Sequence, residues 1–365
     1  MEITLKKEDI VSALNITLGV VEKRQTLPIL ANVLFEADEN SFKLTATDLE
    51  SEVTTSGKLL GIESSGKLTT SAKKLNELCR LIPDGEKINF SLKSDKLNIK
   101  TSNGKYSLST LPSSDFPIFD IDSGDMPLII SAKDLLELIK NTSFAMGNQD
   151  WRHYLNGLYI SISDGQITAV STDAHRLAVA NIPINSDKSF SGIIPRKSIN
   201  EMAKFLSDQS GDAELKINDS SLELMVGNLK FKSKLIDGQF PDYQQVIPSG
   251  ESSLLEINVK DFSETLSRVS VLSSEKYKGI RLITSSEGVS ISANNPEQEE
   301  AEEFFPATYK GDELDIAFNV TYLQEIMSHM QTDICHINFF GSEKSCLLTP
   351  PKADSPKYVV MPLLI

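Results

Sequence analysis

Apolar residues recur along this chain in two rhythms, and each rhythm returns three times. In three stretches they fall at i, i+3, i+4 and i+7, the spacing that gathers them on one face of an α-helix. The sets are Leu75, Leu78, Cys79 and Ile82; Ile199, Met202, Ala203 and Leu206; and Leu323, Ile326, Met327 and Met330, each lying 124 positions after the last. A second amphipathic stretch precedes each set: KKEDIVSALNITLGVV from Lys6, AKDLLELIKNTSFAM from Ala132 and VKDFSETLSRVSVL from Val259. Asp9, Asp134 and Asp261 hold corresponding places in them, 125 and 127 residues apart. Between the helical stretches the period drops to two. LTATDLESEV from Leu44, ITAVSTDAHRLAV from Ile167 and ISANNPEQEEAEE from Ile291 read as strands with turns, in which Asp48, Asp173 and Asn295 correspond. LNIKTSNGKYSLSTL and LELMVGNLKFKSKL predict hairpins, turning at Ser102-Asn103-Gly104 and Gly227-Asn228.

A pattern that returns at a fixed spacing is one folding unit used repeatedly. Each unit reads strand, helix, several strands, helix, several strands, closing on a segment that opens with an aromatic residue: Tyr106, Phe231 or Tyr358. Turn-forming runs, DIDSGDMP and PSGESS, place the boundaries near 125 and 250. The expected organisation is α+β, with three domains at 1–125, 126–250 and 251–365 and both helices of each on one face of antiparallel sheet.

Composition fits a folded chain that needs no staples. Of 365 residues 40% are hydrophobic and 24% charged. Three cysteines, Cys79, Cys335 and Cys346, form no CxxC pair, so free thiols are expected rather than a disulfide framework or zinc ribbon. No stretch approaches the roughly 18 apolar residues of a membrane span, and MEITLKKEDI lacks the apolar core of a signal peptide, so a cytoplasmic protein is expected. The net charge of −15 argues against coating phosphate by bulk attraction. Charge is nevertheless unevenly spread: the six helical windows together carry +6. Any nucleic-acid role would rest on that local excess.

Candidate chemistry is sparse. Gly61-x4-Gly66-Lys67 imitates a phosphate-binding loop, but Leu68 stands where a magnesium-side hydroxyl is required, and a strand-to-helix turn is expected instead. Asp173 and His175 lack an adjacent nucleophile, and the histidines at 153, 175, 329 and 336 show no metal-ligand spacing. Binding or structural roles are therefore favoured over catalysis, with no metal and no cofactor expected.

TLPIL at Thr26, TDAHRLAV at Thr172, NNPEQEEAEE at Asn294 and YVVMP at Tyr358, set in a threefold repeat, closely resemble the bacterial DNA polymerase III beta subunit family, the sliding clamps. The resemblance runs the whole length of the chain. It implies a homodimer of two chains, head to tail, forming a closed six-domain ring around double-stranded DNA. It implies no catalysis, and a pocket between the second and third domains that takes a short partner segment bearing a glutamine and apolar residues. The implied partners are the replicative polymerase, a clamp loader, other polymerases, mismatch-repair proteins and ligase. Carried over by position, the pocket residues are Leu155, Thr172, His175, Arg176, Leu177, Pro241, Val246, Asn319, Tyr322, Ser345, Val359, Val360, Met361 and Pro362. DNA contacts fall on Arg24, Gln149, Arg152, His153 and Tyr154. At the contact between chains, Lys74 and Lys105 would face Glu297, Glu300 and Glu303 around an apolar centre of Tyr106, Leu108, Val271 and Leu272. Two places depart from the family: Gln245 stands where a basic residue is common, and the chain finishes on Leu363-Leu364-Ile365 with no late arginine, which implies a more apolar pocket. A nucleotide-binding enzyme built on the Gly61 loop, and a repeat-built scaffold that binds no DNA, are the other classes to separate.

Overall fold

A computed structural model of the chain describes residues 1–21, 27–119 and 127–364. Among the described residues six α-helices stand where the 3.6-residue pattern puts them: α1 (Lys7–Thr17), α2 (Ala72–Leu81), α3 (Ala132–Thr142), α4 (Arg196–Ser207), α5 (Val259–Ser270) and α6 (Val320–His329). Three of these starts are capped by side chains that accept an otherwise orphaned backbone N–H. Ser71 accepts from Lys74 on α2, Asn258 from Asp261 on α5 and Asn319 from Thr321 on α6. The apolar faces are buried as their spacing requires, with Leu75, Cys79, Ile199, Met202, Leu323 and Ile326 almost fully withdrawn from solvent. Both expected hairpins form, Lys96–Lys100 with Lys105–Leu111 and Ser221–Val226 with Leu229–Lys234.

The chain gathers into two compact units, and the middle repeat contributes to both. Unit 1 comprises Met1–Leu136 and Asn200–Leu235. Its strands form one 13-stranded sheet among the described residues, with every pairing antiparallel. Strand Leu229–Lys234 of the middle repeat joins Ser51–Lys58 of the first, setting Phe231 opposite Val53 and Lys232 opposite Glu52. Ile10 and Leu14 of α1, Leu75 and Cys79 of α2 and the ring cluster of Phe35, Phe42 and Phe90 make its core.

Unit 2 comprises Glu137–Ile199 and Ile236–Ile365, with a nine-stranded and a four-stranded sheet among the described residues. Here strand Arg176–Pro183 of the middle repeat joins Lys357–Val360 of the third. Phe262 and Leu266 of α5, Leu323, Ile326 and Met327 of α6, and Phe318, Phe339 and Tyr358 fill its core. The three cysteines are free and buried, and burial pushes the thiols of Cys79 and Cys346 up to about 12.

One sequence expectation is corrected. Gly61-x4-Gly66-Lys67 is no strand-to-helix turn: it spans strands Gly61–Ser64 and Gly66–Ser71, and α2 begins only at Ala72. Lys67 is paired with Glu36 at 2.5 Å, on the strand opposite. A phosphate cradle needs backbone N–H groups at a helix start, and this segment offers none.

Candidate peptide-binding cleft

Most of the expected pocket residues come together along the seam inside unit 2. Arg176 stands opposite Val360, Leu177 opposite Val359 and Ala178 opposite Tyr358. Leu177, Val359 and Val360 are buried, and so is Leu155 in the short 3-10 turn His153–Leu155. On one side of this seam lies an apolar cluster of Val170, Leu177, Val179, Ile193, Phe240 and Val359, edged by the half-buried Tyr154, Tyr159, Tyr243, Ile247 and Leu347. Tyr159 stacks on Phe240 at 4.9 Å and tilts against Tyr243 at 6.3 Å. Burial raises the Tyr243 phenol above its ordinary range. Val246 and Met361 flank the seam with about half their surface in solvent, at 49% and 46%. Pro241 is exposed; Ser345 and Pro362 are half-buried.

The TDAHRL segment is a tight turn held by its own polar atoms. Asp173 Oδ1 accepts the backbone N–H of His175 at 3.0 Å and of Arg176 at 3.1 Å, an arrangement short acidic side chains favour in turns. The Thr172 hydroxyl accepts from Ala174, which sits at φ 76°, and donates to the carbonyl of Arg176 at 2.5 Å. His175 is left exposed, and its carbonyl accepts the Met361 N–H at 2.9 Å. The next tail residue but one is fastened too, since Leu363 N–H donates to the carbonyl of Ala317.

The side chain of Arg176 is already engaged by groups of this chain. Its side chain is 8% exposed, with Nε donating to Asp173 at 3.1 Å, Nη2 to the carbonyl of Phe144 at 3.0 Å, and Nη1 to Glu325. The guanidinium lies over the rings of Tyr322 at 4.6 Å and Phe144 at 5.4 Å. Tyr322 is half-buried beside it, and desolvation, then the charge of Asp173, raises its phenol. Asn319 serves as the cap of α6. The sequence reading missed Phe240, Tyr243, Ile247 and Leu347 on the cluster, and Phe144 and Glu325 behind Arg176. The run FPDYQQVI, with aromatic and apolar residues spaced around a proline, was the available signal for the first three.

The residues carried over for DNA are separated by the structure. Arg24 lies outside the described residues. Gln149 and His153 are exposed, whereas Tyr154 packs into the cleft's apolar cluster. Arg152 grips Asp150 with two hydrogen bonds, 3.0 and 2.9 Å, which hold the Asp150 carboxyl down at about 2. Trp151 is 82% exposed, with the Arg152 guanidinium 5.6 Å from its ring centre. Helix cations Lys73, Lys74, Arg80, Lys140, Lys197 and Lys204 are exposed.

Of the residues assigned to the contact between chains, Tyr106 and Val271 are exposed, at 42% and 76%, and Leu108 and Leu272 are half-buried. Lys74, Lys105, Glu297 and Glu300 are exposed. Glu303 is instead tied within unit 2, to Arg268 at 3.0 Å and Thr265 at 3.3 Å. Among the described residues no group of three His, Cys, Asp or Glu side chains could hold a metal ion, and no helix is long and apolar enough to cross a membrane.

Three family models match the chain in succession: the N-terminal domain of the DNA polymerase III beta subunit over residues 1–120, its central domain over 129–242 and its C-terminal domain over 244–364. A beta sliding clamp of Pseudomonas putida is 39% identical over 365 residues, and that of Escherichia coli K12 is 35% identical over 364, each comparison covering 100% of both chains. The crystal structure of the DNA polymerase III subunit beta from Pseudomonas aeruginosa superposes with a TM-score of 0.97 at 38% identity, covering 100% of both chains. A Bartonella birtlesii sliding clamp bound to griselimycin gives 0.95 at 33%, again covering 100% of both.

Proposed function

The chain belongs to the DNA polymerase III beta subunit family, the sliding clamps of bacterial replication, and on that premise we propose that two copies close head to tail around duplex DNA and hold a polymerase through the cleft in unit 2. The protein is a processivity factor and catalyses nothing itself. Its effect is one of effective concentration: an enzyme tethered to a ring that cannot leave the duplex meets the primer end again before it diffuses away. Enclosure also removes the need for a tight, salt-sensitive grip on phosphate.

The observation that carries the cleft assignment is the apolar cluster around Leu177 and Val359, rimmed by half-buried aromatics and the exposed Val246 and Met361. An apolar groove with a few fixed polar groups suits an extended peptide with apolar anchors. The clamp loader, further polymerases, mismatch-repair proteins and ligase are proposed to use the same cleft in turn, in the cytoplasm.

Two strand edges support the head-to-tail contact. Glu300–Pro306 is the outer strand of the four-stranded sheet and begins with exposed Glu300. Lys105–Leu111 meets Gly66–Ser71 only through Thr110 and Leu111 among the described residues, which leaves the edge beside exposed Lys105 open. Edges of opposite charge can extend one sheet into another. Exposed ion pairs contribute only about 0–1 kcal/mol each, so the apolar centre should carry the stability and the charges the register. The test is mass in solution: a dimer for the wild type, and monomers at micromolar concentration when Val271 and Leu272 are both replaced by Ala. An unchanged dimer mass in that variant removes this interface from the reading.

A further inference from the structure

We propose that Glu325 is a positioning residue for the peptide cleft: by holding Arg176 it fixes the two walls of the cleft, the TDAHRL turn and α6, against each other. This rests on the cleft reading above.

Tyr322, Glu325 and His329 share one face of α6, since residues three and four apart on a helix are neighbours. All three engage the middle repeat. Tyr322 lies on the Arg176 guanidinium, Glu325 pairs with it, and His329 stacks on Phe144 at 4.4 Å with ring planes 17° apart. Arg176 is thus a hub whose donors reach three separate segments: Asp173 in the turn, the carbonyl of Phe144, and Glu325 on α6. Because the guanidinium is planar, fixing its edges also fixes the faces that Tyr322 and Phe144 cover. Asp173, one of those three partners, is the residue that shapes the turn presenting His175. Glu325 touches the hub and lies behind Tyr322, so its effect on a bound peptide is exerted through Arg176.

The repeats supply an independent observation. Glu77 and Glu201 precede Glu325 by 248 and 124 positions, so each second helix carries glutamate at the same place. Glu201 is buried, and its carboxylate occupies the space a Cβ at Gly19 would take, so in unit 1 it packs against the loop that follows α1. Its cation is Lys204 of its own helix, at 2.6 Å. Glu77 is exposed, with Lys73 of its own helix at 3.8 Å. Among the described residues Glu325, unlike these, is paired with a cation on another repeat, and that cation belongs to the cleft.

The experiment measures binding of a fluorescein-labelled Gln-Leu-Ala-Leu-Phe peptide by anisotropy, to the full-length wild type, Glu325→Gln, Glu325→Asp and Glu201→Gln. The Arg176 Nε–H resonance is followed in arginine-labelled protein. Loss of the pair at a half-exposed glutamate is expected to weaken binding about tenfold. Glu325→Gln should show that loss together with a displaced Arg176 signal, at unchanged dimer mass and melting temperature. Glu325→Asp, which keeps the charge but is one methylene shorter, should fail to restore binding, and Glu201→Gln should bind as the wild type does. Wild-type binding that Glu325→Gln leaves unaltered overturns the positioning role alone. A wild type that does not bind the peptide overturns the cleft, and this inference with it.

Discussion

Where strand Leu229–Lys234 meets Ser51–Lys58, the facing residues include Lys232 and Glu52; where Arg176–Pro183 meets Lys357–Val360, they include Leu177 and Val359. The first seam carries buried ion pairs beside its apolar pair of Phe231 and Val53. Glu52 is buried, 3.4 Å from the Lys232 ammonium, and its other oxygen accepts the N–H of Phe119, whose carbonyl in turn accepts from Lys232 at 2.6 Å. Glu223 on the adjoining strand is buried too, 3.4 Å from Lys230. The second seam has apolar pairs at its centre and half-buried aromatic rings along one side. The difference teaches where binding can occur. A seam whose buried glutamates are paired with its own lysines offers a partner little, whereas one that leaves Val246, Met361 and tyrosine rings partly wet gains when a partner covers them.

The first seam gives the largest expected effect. Replacing Lys232 with Met leaves Glu52 buried without its cation, and breaking such a pair from one side costs about 3–5 kcal/mol. Urea unfolding should show that loss while the cleft of the surviving fold binds the labelled peptide normally. A near-neutral result would mean the first seam is not held by charge. At the second seam Leu177→Ala removes a buried anchor and should cost about 2–4 kcal/mol. Unlike Lys232→Met, it should also weaken the peptide, because Leu177 belongs to the cluster that the peptide covers. Stability lost with undiminished peptide affinity would detach that cluster from binding.

Deleting Met361 to Ile365 tests the edge of the second seam. Strand Lys357–Val360 remains, and the backbone bonds lost include those of Met361 to His175 and Leu363 to Ala317. Dimer mass is expected to hold and stability to fall little, while peptide affinity drops about thirtyfold, near 2 kcal/mol for an apolar anchor. Unfolding on deletion would make the tail core rather than wall. The smallest effect concerns the loop that carries Tyr154 to this seam. Arg152 depresses the Asp150 carboxyl to about 2, against an ordinary 3.8. The pair's contribution is therefore complete above the ordinary value and fades as pH falls toward 2. Arg152→Ala should return the NMR titration midpoint of Asp150 toward 3.8, and an unmoved midpoint would assign the depression to another group.

Local pattern made the helices and hairpins legible. Leu75 and Cys79, Ile199 and Met202, Leu323 and Ile326 are buried because period and chain geometry agree. The Asn103-Gly104 and Gly227-Asn228 turns needed nothing beyond their own residues. The division of the middle repeat between two units was not legible, because pairing Leu229–Lys234 with Ser51–Lys58 joins residues some 180 apart and no local period encodes it. The Gly61 segment misled for a similar reason. Its glycines suggested a turn into a helix, while pairing with Glu2–Lys6 on one side and Asn32–Asp38 on the other made it two strands. At the cleft, resemblance identified the positions but not their roles. Arg176 in the sequence is a cation beside a histidine, and only packing reveals that Asp173, Glu325, Phe144 and Tyr322 already surround it.

The central claim is that two chains enclose DNA rather than adhere to it. The protein would be loaded onto nicked circular plasmid with a bacterial clamp loader and ATP, and its co-elution with DNA measured before and after one restriction cut made away from the nick. Enclosure requires clear co-elution with the circle and loss of most of the protein once a free end exists. Co-elution that survives linearisation, or that never appears on the circle, would contradict the account.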